Sequence, residues 1–206
     1  MKLWWLGAQP RTDAERFLCR VIDAARSLGV EVCVYGGYAL EAHVGRRLCE
    51  HEDVDLFGRL AQWPRIQAKV ADEGLCFDYD APSALHVRRD GVTIADVLLV
   101  EQHPEGFPFV RAPLGANPLP PGSLDDGPVV RMWGRQVRVA TLECLFVLKA
   151  SGNFTGPRRP PDPKHARDLE LIRGRLPPGV IAGLAPCCSV IPAPPEDRAT
   201  VCRADA

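Results

Sequence analysis

From Thr12 onward the apolar residues Ala14, Phe17, Leu18, Val21, Ile22, Ala25 and Leu28 recur every three or four positions, with charged residues between them. That spacing lays one apolar stripe along a helix. Thr12 and Glu15 form a capping box, in which each side chain satisfies the other's free backbone N–H, and Gly29 closes the run. The rhythm then changes. Residues 30–35 are a short, mostly β-branched run and predict a buried strand entering Gly36-Gly37. A short helix over about 38–44 follows. Residues 53–58 alternate, which predicts a strand with Asp53 and Asp55 on one face and Val54 and Leu56 on the other. Residues 64–73 predict a helix that tolerates Pro64 in its first turn.

Three extended runs come next, at 76–79, 85–91 and 92–102, with Asp90-Gly91 as a hairpin turn between the last two. Residues 104–128 are rich in proline and glycine and predict a connection. Residues 129–140 predict a second hairpin turning at Gly134-Arg135. Residues 141–152 are a mostly apolar helix, and residues 157–176 hold another, with Asp162 as N-cap and Pro163 in first position. From Pro177 onward, six prolines and little periodicity predict a poorly ordered tail. The resulting fold class is α+β: a mixed sheet flanked by helices, with a short helical C-terminal part. The domain division is a core over 1–140, a helical part over 141–176 and the tail over 177–206.

A chain of 206 residues is of one-domain size. Its net charge of −1 supplies no global basic field, which argues against a non-specific nucleic-acid binder. The apolar patch near the N-terminus is too short for a signal peptide, and no run reaches the ~18 apolar residues of a membrane span. Of the eight cysteines, Cys19, Cys33 and Cys144 sit in apolar periodic stretches, Cys187 and Cys188 are adjacent, and no C-x-x-C occurs. These predict reduced, mostly buried thiols and a cytoplasmic protein. Trp4, Trp5 and Trp133 read as core.

The chemistry starts from a conflict of charge. Asp53 and Asp55 point the same way from one strand, and Asp96 interrupts the apolar strand "TIADVLLV". A carboxylate there costs several kcal/mol unless it is compensated. The alternative, Asp96 facing solvent, would also expose Ile94 and Leu98. Three like charges on neighbouring strands call for a cation, and hard oxygen ligands select Mg²⁺ or Mn²⁺. A Gly-Gly pair opening a helix offers backbone N–H groups that suit a phosphate.

These residues carry a resemblance. "GGYALEAHVGRRLCEHEDVDLFG" resembles the motif of the polymerase-β-type nucleotidyltransferase superfamily, Gly-Gly followed by Asp-x-Asp. Its Gly-Gly-aromatic-Ala, Gly-Arg and His-x-Asp-x-Asp-Leu are similar to the small aminoglycoside and lincosamide nucleotidyltransferases, and to abortive-infection-type nucleotidyltransferase toxins. The likeness implies two Mg²⁺ ions, with Mn²⁺ as a substitute, held by Asp53, Asp55 and Asp96, the last also deprotonating the acceptor. It implies triphosphate contacts from Gly36, Gly37, Arg47, Lys149 and Lys164. Arg46 and Arg47 have a second reading as partners of Glu50 and Glu52, and Lys149 a second reading as a helix-end lysine. Lys164 is spaced to pair with Asp168. His165 stands where those families usually carry an aspartate, a departure on the same helix. His51 is read as a loop anchor. The implied partners are a nucleoside triphosphate and a small antibiotic-like molecule with a free hydroxyl. Two alternatives stay open: a toxin-type enzyme acting on tRNA or protein, with Arg158, Arg159, Lys164 and Arg167 as its basic cluster, and a nucleotide-binding module without catalysis.

Overall fold

The computed structural model describes residues 8–81, 83–112, 115–151, 163–188 and 191–192. Helix α1 (Asp13–Leu28) carries the predicted capping box, with Thr12 Oγ1 accepting from the Glu15 amide at 3.1 Å and Glu15 reaching back to the Thr12 amide. Gly29 ends it in the left-handed conformation. Its stripe of Phe17, Leu18, Val21 and Ile22 is buried in the central core. After it come β1 (Val32–Val34), α2 (Gly36–Val44), β2 (Val54–Arg59) and α3 (Trp63–Val70). Helix α3 starts one residue earlier than expected and stops three residues short of Glu73, where Ala71, Asp72 and Glu73 are all exposed and bury nothing.

Strands β3 (Leu75–Ala81), β4 (Ala84–Arg89) and β5 (Val92–Gln102) form a meander. Asp90 and Gly91 both have positive φ, as the predicted two-residue turn demands. The stretch 104–128, expected as a connection, instead contains β6 (Pro108–Ala112) and β7 (Gly115–Pro118). The two prolines within these strands, Pro108 and Pro118, sit at the first position of β6 and the last of β7, where a missing N–H costs little pairing. The hairpin of β8 (Val129–Met132) and β9 (Arg135–Val139) turns at Trp133-Gly134, one residue before the expected position, with both residues at positive φ. Helices α4 (Leu142–Ser151) and α5 (Pro163–Arg173) pack together. The described residues beyond Pro177 form α6 (Pro178–Gly183), a 3-10 turn at Ala185–Cys188 and β10 (Ile191–Pro192), which pairs with β7. Leu176 and Leu184 anchor it in the core. Trp4, Trp5, Arg158, Arg159, Asp162 and residues 193–206 lie outside the described residues.

The sheet order is β10-β7-β6-β5-β2-β1-β9-β8, with β4 also pairing β5 and β3 pairing β4. Parallel pairs (β2 with β5, β1 with β9) sit among antiparallel ones, so the sheet is mixed and the class is α+β as predicted. β5 is central: β2 lies along one side, and β4 and β6 share the other. Every described cysteine is free; Cys19, Cys33 and Cys144 are buried, whereas Cys76 is exposed. No described helix is long and apolar enough to cross a membrane.

Candidate active site

The site forms where β1 hands over to α2, beside the start of β2. Gly36 has a φ of 65°, open to glycine and costly for other residues. The space around the pair matters as much as the dihedral. A Cβ on Gly36 would overlap the Asp55 carboxylate, and one on Gly37 would overlap the His51 imidazole. The glycines therefore let the backbone of α2 lie against both side chains, and the Gly37 amide donates to Asp55. They hold the carboxylate in place as well as opening the helix.

The register of β2 and β5 sets Asp55 directly opposite Asp96. Burial pushes the Asp55 carboxyl up to about 7, helped by repulsion from Asp53 and Asp96 and opposed by Lys149 and the Gly37 amide. Burial also raises Asp53, with Asp96 adding to the rise and Lys164 opposing it. Tyr35, buried beneath them, is raised well above its ordinary value by desolvation and then by the same three aspartates. Three carboxylates thus share a confined space rich in negative charge. Ile94 and Leu98 are both buried, so Asp96 does not sit on a solvent-facing apolar strand. Its partner is His86, with Nδ1 2.5 Å from Asp96 Oδ1. Arg88 bonds Asp78 at 3.0 Å.

Lysines arrive from the helices. Lys149, at the end of α4, reaches Asp168 of α5 at 3.0 Å; the two side chains are 11% and 2% exposed. Arg167 adds a second contact to Asp168 at 3.2 Å. Asp168 therefore bridges two helices, while Lys164 acts on Asp53. Arg47 lies on the exposed loop after α2, with Nε donating to the Cys49 carbonyl at 3.1 Å and its guanidinium 3.5 Å from Glu50.

The sequence reading missed Glu41 and His86. Glu41 is 0% exposed and accepts from the Leu48 amide at 2.8 Å and the Cys49 amide at 3.3 Å, with His51 Nε2 at 2.9 Å. The His51 ring packs on Tyr38 with centroids 4.4 Å apart. Together they tie the loop that leads into Asp53. The available signal was a carboxylate inside the apolar run of α2. Glu41, Cys49 and His51 also bring ligand atoms within 4.8 Å of one another, but Glu41 Oε1 is already engaged by the two amides and the imidazole.

The Aminoglycoside-2''-adenylyltransferase family matches residues 17–107, which span α1 to the end of β5 and include all three aspartates. The fold is similar to the solution structure of the antibiotic-resistance factor ANT(2'')-Ia: TM-score 0.65, 17% identity, covering 92% of this chain and 95% of that one. It is also similar to ANT(2'')-Ia in complex with adenylyl-2''-tobramycin: TM-score 0.63, 18% identity, covering 93% and 98%. The lincomycin-bound lincosamide antibiotic adenylyltransferase LnuA gives a TM-score of 0.57 at 14% identity, covering 80% and 98%. No curated protein matches the chain. The family match and the shared fold relate the chain to the nucleotidyltransferase superfamily.

Proposed function

We propose that this relative of the nucleotidyltransferases moves an adenylyl group from ATP to a hydroxyl of a small, antibiotic-like molecule. The observation that supports it most is the convergence of Asp53, Asp55 and Asp96 beside the start of α2 with lysines from α4 and α5 facing them. The all-oxygen donor set and the mutual repulsion of the carboxylates fit divalent cations, Mg²⁺ or Mn²⁺. Asp53, Asp55 and Asp96 would hold two such ions, which when bound neutralise charge on the attacking and leaving oxygens.

The remaining work falls to the chain. Lys149 and Lys164 offer positive charge to the triphosphate, and Lys149 is held in place by Asp168. Gly36 and Gly37 open α2 beside Asp55, so a phosphate would meet the positive end of that helix. Arg47, on the exposed loop after α2, would add positive charge for the triphosphate from that side. Asp96, its side chain 35% exposed, takes the proton of the acceptor hydroxyl as the hydroxyl oxygen attacks the α-phosphorus and pyrophosphate leaves. The carboxylates come from residues 1–140 and the lysines from 141–176, so both parts are needed for transfer. Free thiols support a cytoplasmic setting, where ATP is available.

The test is transfer of label from α-labelled ATP with Mg²⁺ to a panel of aminoglycosides, lincosamides and bulk tRNA. Label on a small molecule, lost in Asp53→Asn, is the expected result. Label on tRNA alone, or on none of the panel, refutes the proposal.

A further inference from the structure

Across four strands the register lines up a single row of polar side chains. Asp78 of β3 is opposite His86 of β4, His86 is opposite Asp96 of β5, and Asp96 is opposite Asp55 of β2. Directly opposed residues share one face of a sheet. His86 is the one imidazole in this row, and its two nitrogens face different carboxylates. Nδ1 lies 2.5 Å from Asp96 Oδ1, and Nε2 lies 3.9 Å from Asp80 Oδ2. Asp78, its other neighbour in register, is engaged by Arg88.

An ionised carboxylate can only accept, so a hydrogen bond from His86 to an ionised Asp96 requires the proton on Nδ1. The side chains of His86 and Asp96 are 33% and 35% exposed. Bonds between groups this open contribute little to stability. What such a bond does supply is direction: it fixes the torsion of the Asp96 carboxylate and occupies one of its two oxygens.

We infer that His86 is a positioning residue for the transfer reaction, donating Nδ1–H to Asp96 Oδ1 and leaving Oδ2 as the oxygen that meets the acceptor hydroxyl. This rests on the adenylyl-transfer reading above. Partners that orient a metal-binding or catalytic carboxylate typically contribute 10–100-fold to activity, roughly the effect expected here.

The test combines kinetics with a spectroscopic measurement on the full chain. His86→Ala should lower kcat by about 10–100-fold, with KM for ATP and the melting temperature close to wild type. His86→Asn sets an amide N–H near the Nδ1 position and should recover most of the rate. His86→Gln sets its N–H near Nε2 and should not. In metal-free protein labelled with ¹⁵N-histidine, the His86 signals, identified by their loss in His86→Asn, should report a protonated Nδ1 with a downfield proton that disappears in Asp96→Ala. Wild-type kcat in His86→Ala, equal rates in the Asn and Gln variants, or an unprotonated Nδ1 would each overturn the inference. If wild-type protein labels no acceptor, the adenylyl-transfer reading falls and the catalytic role falls with it, while the spectrum alone still decides whether the hydrogen bond exists.

Discussion

Asp55→Asn should stabilise the metal-free protein above neutral pH, although it removes a group at the centre of the proposed site. In the folded chain the Asp55 carboxyl is raised from 3.8 to about 7. Between those values the native state holds a proton that the unfolded chain has released. Stability is therefore greatest below the lower value, falls as pH rises through the window, and is lowest once the folded carboxyl ionises. Full displacement would correspond to a ceiling of about 4 kcal/mol. Asp55 keeps partial access to solvent, which screens the repulsion, so roughly 1–3 kcal/mol is the expected difference. Asparagine keeps the shape and still accepts from the Gly37 amide. Denaturant titrations in EDTA at about pH 5 and pH 8 measure both proteins. Wild type should lose stability across that interval and Asp55→Asn should lose less, ending above wild type at pH 8. Mg²⁺ should restore wild type by binding the folded state and should do little for the variant. Wild type that gains stability relative to the variant as pH rises in EDTA would refute the reasoning.

Other substitutions address the supports of the site. Gly37→Ala pushes a methyl group into the His51 ring and should cost about 1–3 kcal/mol by overpacking, with a loss of transfer, both read from melting curves and label incorporation. Glu41→Ala leaves two amides and an imidazole without their buried acceptor and should cost roughly 3 kcal/mol in denaturant titration; an unchanged midpoint would remove its role as loop anchor. Asp168→Ala strands the nearly buried Lys149 and should cost about 3–5 kcal/mol, whereas the paired Lys149→Met, Asp168→Leu protein should regain stability without regaining transfer. A double variant active at wild-type rate would show that Lys149 has no part in the chemistry.

Local physics makes much of this chain legible in its sequence. The stripe and capping box of α1, the positive-φ turn at Asp90-Gly91 and the alternation around Asp53 and Asp55 depend on neighbours within a few residues; the first two appear where the residues predict them, and the strand begins at Val54, so that Asp53 immediately precedes it. Asp96 was legible for a related reason: a charge inside an apolar strand needs a compensating group wherever the strand goes. What could not be read were relations across long stretches of chain. Strands β6 and β7 lack a strong periodic signal because pairing with β5 and β10 supplies what their own residues do not. The stretch from Pro177 is proline-rich with little periodicity, yet its described part forms α6 because Leu176, just before it, and Leu184, within it, find a core built elsewhere. Asp168 lies four residues after Lys164, and local spacing suggests that pair; the packing of α4 on α5 delivers Lys149 instead. The row of Asp78, His86, Asp96 and Asp55 exists through strand register alone, since a shift of one residue would turn each side chain to the opposite face. Residue type names the charges that must be compensated, and only the assembled sheet determines which groups compensate them.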